Sequence, residues 1–422
     1  MTLAVLHARG RVGTLLAAER ELVFAYDADW RLRDDAFALS PRLPLRDEPH
    51  AGEEVLYFFA NLLPEGPVLD ALCALRRLPR GNTFRLLEAF GRECAGAFEI
   101  VPEDEAAHVG GAKLRYQPYT NDQLADDLAR LRQNVPLLQS HGELRLSLAG
   151  AQNKIPVRYA EGALWLPMQG APSTHILKPS LQPAAEFPHS VLNEAFCLRL
   201  AGALGLAVPD TVVLHDPEPL LLIARYDRVA DGERIERLHQ LDFCQLSGVL
   251  PAQKYEVDGG PGFRDCFALV DRHSALPAAD RLRLVDWLIV NYLIGNADAH
   301  AKNLSMLHGV DGRLRLAPAY DLLCLGLWPD LSQRMAMAIG GERRPDWVQA
   351  RHWQRLCATV GLNLVQLRRR ALQLGAKAVA TVPALLAALD APPAFAQHAT
   401  TTLAQRAGWL DQRLVNATEA GP

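Results

Sequence analysis

Residues 298–303 read DAHAKN, so a carboxylate (Asp298), an imidazole (His300), an amine (Lys302) and an amide (Asn303) share one short loop. Asp and Asn five positions apart suit phosphoryl transfer. The carboxylate accepts the hydroxyl proton of the acceptor while the amide ligates magnesium, both turned toward one phosphate. The spacing by itself is common, and the same residues also read as a turn in which Asp298 caps and Asn303 satisfies loop backbone. Phosphoryl transfer needs a second acid, and Asp321 supplies one at the end of the strand-like run LRLAPAYD. An ionised Asp there can chelate magnesium. Its ordinary alternative is a helix N-cap for LLCLGL.

Upstream, SLAGAQNK (147–154) sets a hydroxyl, small residues and a lysine between two strand patterns. Small residues let backbone N–H groups approach phosphate oxygens, although a tight hairpin turn explains the same text. The Walker signature G-x-x-x-x-G-K-[ST] is absent. Lys178, at the end of the apolar run HILKPS, either pairs with nucleotide phosphates or snorkels to water. Glu194, on the next helical pattern, either orients that lysine or faces solvent. In chain order these are a small-residue loop, a strand lysine, a helix glutamate, D-x-x-x-x-N and a magnesium acid. That is the order of a protein-kinase-like phosphotransferase.

The elements that must hold these residues are legible from periodicity. WLIVNYLIGNADAH (287–300) is an apolar helix stopped by Gly295, a rigid support for the loop that follows. Strand signals flank Arg9-Gly10, follow at 21–27 and recur in AGAFEIVPE; helical spacing marks VLYFFANLLPEG and FRLLEAFG. Residues 103–122 read as an acidic, glycine-containing linker. A β-rich block starts near Glu143, a helix covers 190–206, and the patterns after Val229 are nearly all helical. The expected fold class is α+β: a two-lobed, protein-kinase-like fold. It has an N-terminal subdomain (1–105), a β-rich nucleotide-binding lobe (140–227) and a helical catalytic lobe (228–422).

A length of 422 residues suits two or three packed lobes, and 49% hydrophobic with 22% charged residues is ordinary for a globular chain. A formal charge of -4 gives no overall basic surface for nucleic acid. The run Arg368-Arg369-Arg370 reads as the solvated face of a helix. Seven dispersed cysteines without a C-x-x-C pair argue against a disulfide framework or structural zinc and favour the cytoplasm. Neither a secretory signal nor a membrane span is indicated.

Several long strings resemble the HipA family of bacterial toxin serine kinases: NLLPEGP, GRECAGAFEIVPED, LSLAGAQNKIPV, THILKP, NEAFCLRLAGALGLAVPD, ARYDR, KYEVDGGPG, WLIVNYLIGNADAHAKNLSM and LAPAYDLL. The resemblance spans nearly the whole chain. It implies a phosphate-covering loop of Ala149, Gly150, Ala151, Gln152, Asn153 and Lys154, with Lys178 on the nucleotide phosphates. Ala224, Arg225 and Tyr226 would form an adenine hinge acting through backbone groups. Asp298 would be the base; His300, Lys302 and Asn303 would complete the nucleotide and metal contacts; Asp321 with Tyr320 would hold magnesium. Ser147 falls at the family's autophosphorylation position. A phosphate there adds roughly -1.5 to -2 charges beside a phosphate-binding loop, which would eject the loop and switch the kinase off.

The chain departs from the family pattern at Asn153 (commonly Glu), Ala224 (a hinge Glu) and Ala299 (a Gly), none of which removes a required charge. The implied cofactors are ATP and magnesium. The implied partners are a HipB-like helix-turn-helix antitoxin, DNA mainly through that antitoxin, and an aminoacyl-tRNA synthetase as substrate, glutamate–tRNA ligase being the family's usual one. No membrane partner is expected. The alternatives are a nucleotide-binding co-regulator of transcription, a small-molecule phosphotransferase, and a hydrolytic metal centre built from Asp298, His300 and Asp321.

Overall fold

The computed structural model describes residues 1–18, 21–108, 114–133, 135, 137, 152–168, 170–231, 234–309 and 313–419. The chain divides into two compact units. One comprises Met1–Pro183, Leu214–Pro251 and Leu307–Arg313; the other comprises Ala184–Val213, Ala252–Met306 and Leu314–Pro422.

The first unit begins with a five-stranded sheet in the order His50–Ala51, Glu21–Tyr26, Gly10–Ala18, Thr2–His7, Glu99–Pro102. The hairpin at Arg9-Gly10 is the expected one, with Leu3 opposite Leu15 and Val5 opposite Gly13. Helices Glu53–Ala60 and Thr83–Phe90 contribute Phe58, Phe59, Phe84 and Leu87 to a core that also buries Phe24 and Trp30. In the same unit, strand His175–Pro179 lies between Leu220–Ala224 and Ile155–Ala160, antiparallel to both.

The described residues of 103–122 differ from the expected linker: they form a 3-10 turn (Glu103–His108), a strand (Arg115–Pro118) paired with Ala163–Met168, and the start of helix Asn121–Arg132. The strand is too short to show alternation. The helix is largely polar, burying only Leu124, Asp127, Leu128 and Leu131, so its apolar face gives a weak signal. Its start is nevertheless written in the sequence: Thr120 and Gln123 form a capping box.

A buried ionic network closes the first unit. Arg225 reaches Glu93 (2.8 Å) and Asp227 (2.8 Å), Arg228 shares both acids, and Arg237 pairs with Glu93 (3.0 Å) and Glu99 (3.3 Å). Burial opposes charge on Glu93, but Arg237, Arg225 and Arg228 outweigh it and hold the carboxyl below its usual range.

The second unit is mainly helical: Ser190–Leu204, Phe263–His273, Pro277–Ile294, Ala350–Val360, Leu364–Ala388 and Pro393–Glu419. After Val229 the chain also carries short strands (Arg228–Asp231, Arg234–Arg237, Gln240–Asp242, Ser305–His308, Leu314–Leu316), each too short to register as a period. Leu364–Ala388 is long and apolar enough to cross a membrane by composition. It nevertheless buries Leu367, Ala371, Leu374, Ala378 and Val382 at helical spacing and packs on Pro393–Glu419 and Ser190–Leu204. The basic run at its start is not wholly solvated, because Arg370 forms a two-pronged ion pair with Asp286 at 2.6 and 2.7 Å. All seven cysteines are buried, and none forms a disulfide.

Candidate active site

Helix Pro277–Ile294 positions the loop. Eight consecutive residues from Trp287 to Ile294 are buried, and Gly295 ends the helix at φ 74°, a left-handed conformation that favours glycine. At its other end the wholly buried Asp280 accepts from Ser274 (2.6 Å), Arg315 (2.9 and 3.0 Å) and the Leu316 N–H (2.9 Å). Burial pushes the Asp280 carboxyl up, but the bonds from Arg315, Ser274 and Leu316 win and bring it down to about 2. The helix is thereby fixed to the segment that leads to Asp321.

Asn296 ties the loop together. Its Nδ2 donates to Asn291 Oδ1 (2.8 Å) and to the Asp321 carbonyl (3.3 Å), while its Oδ1 accepts the Asp298 N–H (3.1 Å). Asn303 Nδ2 donates to the Asp298 carbonyl at 3.0 Å. Asn303 therefore does serve loop backbone, and with its nitrogen used its Oδ1 is left as the atom able to ligate a cation. Asp298 does not cap the following 3-10 turn, whose N-cap is His300 without a side-chain bond. It is half-buried, and its Oδ1 accepts the Tyr255 hydroxyl at 2.6 Å. Asp298, Asn303 and the Asp321 backbone thus belong to one hydrogen-bonded assembly.

Asp321 is not a helix cap either. It sits at φ 58°, a left-handed conformation uncommon for a residue with a side chain. Neighbouring anchors hold it there: Ala319 N–H to Ala207 O (2.8 Å), and a two-way amide bond from Asn193 to Cys324 at 2.9 and 3.0 Å. The Tyr320 hydroxyl bonds the Lys302 carbonyl (2.7 Å) and Ser305 Oγ (2.8 Å), so it braces the loop. His300 is 4% exposed, and its Nδ1 is buried without a hydrogen-bond partner. Burial, then the charge of Lys254, lowers His300 to about 3, so it is a neutral imidazole at pH 7.

Lys178 and Glu194 each contradict the solvent-facing alternative, at 6% and 2% exposure. Gln152 Nε2 donates to the Pro179 carbonyl at 3.4 Å, at the end of the Lys178 strand. Arg225 has its N–H on the Thr174 carbonyl (2.9 Å), its carbonyl on the Arg228 N–H (3.2 Å) and its guanidinium in the ionic network. Ser147, Ala149, Gly150 and Ala151 lie outside the described residues; Asn153 and Lys154 are half-buried.

Among the described residues no group of three His, Cys, Asp or Glu side chains could hold a metal ion. That disfavours a hydrolytic centre of Asp298, His300 and Asp321. One carboxylate with one amide oxygen suits magnesium, which keeps several waters and substrate phosphates as ligands. The sequence reading missed Asn296 and Tyr255. Asn296 left a signal, since an amide directly after a helix-ending glycine is a loop-building residue. Tyr255 left only an unassigned motif.

Residues 3–101 match the family described as HipA N-terminal domain, and residues 146–385 match the HipA-like C-terminal domain. The chain is 41% identical to Y4mE of Sinorhizobium fredii, which is named a candidate kinase, over 88% of this chain and 89% of that one. It is 32% identical to the serine/threonine-protein kinase toxin HipA of Shewanella oneidensis, over 92% and 91%. Among solved structures it is similar to Shewanella oneidensis HipA in a complex with HipB and operator DNA, with TM-score 0.85, 27% identity and all of both chains covered.

Proposed function

The chain belongs to the HipA family and is a protein serine/threonine kinase of that toxin family, and from this premise we propose that it transfers the γ-phosphate of ATP, with magnesium, to serine on a cytoplasmic aminoacyl-tRNA synthetase and to its own Ser147. The observation that carries this reading is the hydrogen-bonded unit formed by Asn296, Asp298, Asn303 and the Asp321 backbone. In this reading it would keep the base and the two residues that would hold magnesium on one support.

In this mechanism Asp298 accepts the proton of the attacking hydroxyl. Asn303 Oδ1 and the Asp321 carboxylate hold magnesium, which when bound withdraws charge from the transferring phosphate. Lys178 and the 149–154 loop position the nucleotide phosphates, and Ala224 with Tyr226 offers backbone to adenine. His300, being neutral, can donate to or accept from the nucleotide without adding charge. Phosphoryl transfer is mostly positioning and electrostatics, so these roles account for the reaction without a covalent enzyme intermediate. The solved relative's assembly with HipB and operator DNA supports a HipB-like antitoxin as partner here, with DNA reached through it.

Intact-mass spectrometry with peptide mapping after incubation with ATP and magnesium tests the reading. The expected result is one added phosphate on Ser147, lost in Asp298→Ala, whose turnover falls by about 10²–10⁴-fold while nucleotide still binds. Wild-type turnover in Asp298→Ala would remove the base from that position. Phosphate on an added antibiotic or sugar, and none on protein, would transfer the reading to small-molecule phosphotransferases.

A further inference from the structure

The stretch KYEVDGGPG (254–262) has no part in the reaction described above, yet it delivers a hydroxyl to the candidate base. We propose that Tyr255 is a positioning residue for Asp298: its hydroxyl holds the carboxylate in one rotamer, set to take the acceptor's proton.

Tyr255 Oη donates to Asp298 Oδ1 at 2.6 Å. Its ring stands edge-on to His300, with centroids 5.0 Å apart and planes at 85°. The carbonyl of Lys254 accepts the Ala301 N–H at 3.3 Å, so the motif holds the catalytic loop on both sides of His300. The motif is folded around Tyr255 itself. The Tyr255 carbonyl accepts the N–H groups of Asp258 (3.0 Å) and Gly260 (2.9 Å). A Cβ on Gly260 would lie 1.8 Å from the Gln253 carbonyl oxygen, and one on Gly262 would lie 2.8 Å from Glu256 Oε1. Glu256 in turn accepts the Ala338 N–H at 2.5 Å. Gly260 is therefore demanded by close approach to backbone, whereas a side chain at Gly262 would displace Glu256; the turn holds Tyr255 in place.

A carboxylate is broad about its terminal torsion and can present either oxygen. A donor on Oδ1 removes that freedom. During transfer the acceptor's proton moves to the Asp298 carboxylate as the acceptor oxygen bonds the γ-phosphorus. The bond from that phosphorus to its bridging oxygen breaks, its electron pair leaving on the diphosphate. The Tyr255 proton stays on Oη throughout.

This inference rests on Asp298 being the base, so the experiment carries both variants. The full chain, Tyr255→Phe and Asp298→Ala are compared for kcat and KM for ATP, with ATP and magnesium. Phe keeps the ring and its contact with His300. Tyr255→Phe is expected to lower kcat by about 10–100-fold and leave KM for ATP within about twofold. A Tyr255→Phe kcat matching the parent, with Asp298→Ala inactive, overturns the inference and leaves the base in place. A faster Tyr255→Phe also overturns it, since the hydroxyl would then be a blocking latch. Full activity in Asp298→Ala overturns the base itself.

Discussion

At the scale of single residues, Asn296 carries the most consequence for its size. One amide side chain satisfies the Asn291 side chain, the Asp298 N–H and the Asp321 carbonyl. Asn296→Ala leaves these groups without their partner, at a cost of about 1–3 kcal/mol for each buried group left unsatisfied. It also frees Asp298 to drift from Asp321. Loss of registry between the proposed base and the proposed metal acid should lower kcat by about 10²-fold and raise the magnesium concentration needed for half-maximal rate. Steady-state kinetics across a magnesium titration checks this, and unchanged values for both would detach Asn296 from the site. Asp298, Asn303 and Asp321 were legible in the sequence because charged and amide residues after an unbroken apolar run demand an explanation. Tyr255 was not, since nothing in local spacing says that a hydroxyl forty-three positions upstream returns to Asp298. The roles of Asp321 and Lys178 were left open by their neighbours in sequence and constrained only by conformation and burial: a left-handed φ for one, 6% exposure for the other.

At the scale of elements, the helix Pro277–Ile294 is both the best-written element and the one on which the site depends. Its start at Pro277, ten residues before the apolar run, was not read, but the run itself and the terminal glycine were readable. Its anchoring was not, because Asp280 gains its partners from Arg315 and Leu316, which no periodicity connects to it. A buried carboxylate shared by a hydroxyl, an arginine and a backbone N–H is costly to disturb. Removing the acid strands the buried Leu316 N–H, while Arg315, 35% exposed, can turn to water, so the cost is about 1–3 kcal/mol. Asp280→Ala should therefore lower the unfolding midpoint in urea by an amount equivalent to that loss, with the slope unchanged. A midpoint equal to the parent's would mean that the helix is held by its apolar face alone. The same limit explains the helix Asn121–Arg132, whose capping box was written plainly while its thin apolar face hid it among polar residues.

At the scale of the whole chain, three of the imidazoles buried among the described residues bear on how the fold answers acid. Burial, with Arg9 adding to it, lowers His7 to about 4; burial lowers His239 well below its ordinary value, with His308 adding to it; His300 lies at about 3. His239 is enclosed by Phe98 (4.5 Å), His308 (5.0 Å) and Phe37 (5.6 Å), and its Nε2 faces the Leu39 carbonyl at 2.8 Å. Each folded imidazole resists a proton that the unfolded chain accepts near the ordinary value of about 6.5. The unfolded state therefore binds more protons below that pH, and stability is full above it and falls as the pH drops toward each folded value. Near pH 5 the slope contributed by three such groups approaches ~4 kcal/mol per pH unit. Melting followed from pH 7.5 to pH 5 should show a steep fall, and His7→Leu should remove about a third of the slope. His7 and His239 belong to one compact unit and His300 to the other. If the units melt separately, two of the three protons must follow the first unit and one the second. A melting temperature flat across that range would show that the imidazoles gain protons without unfolding, and the burial argument would fail with it.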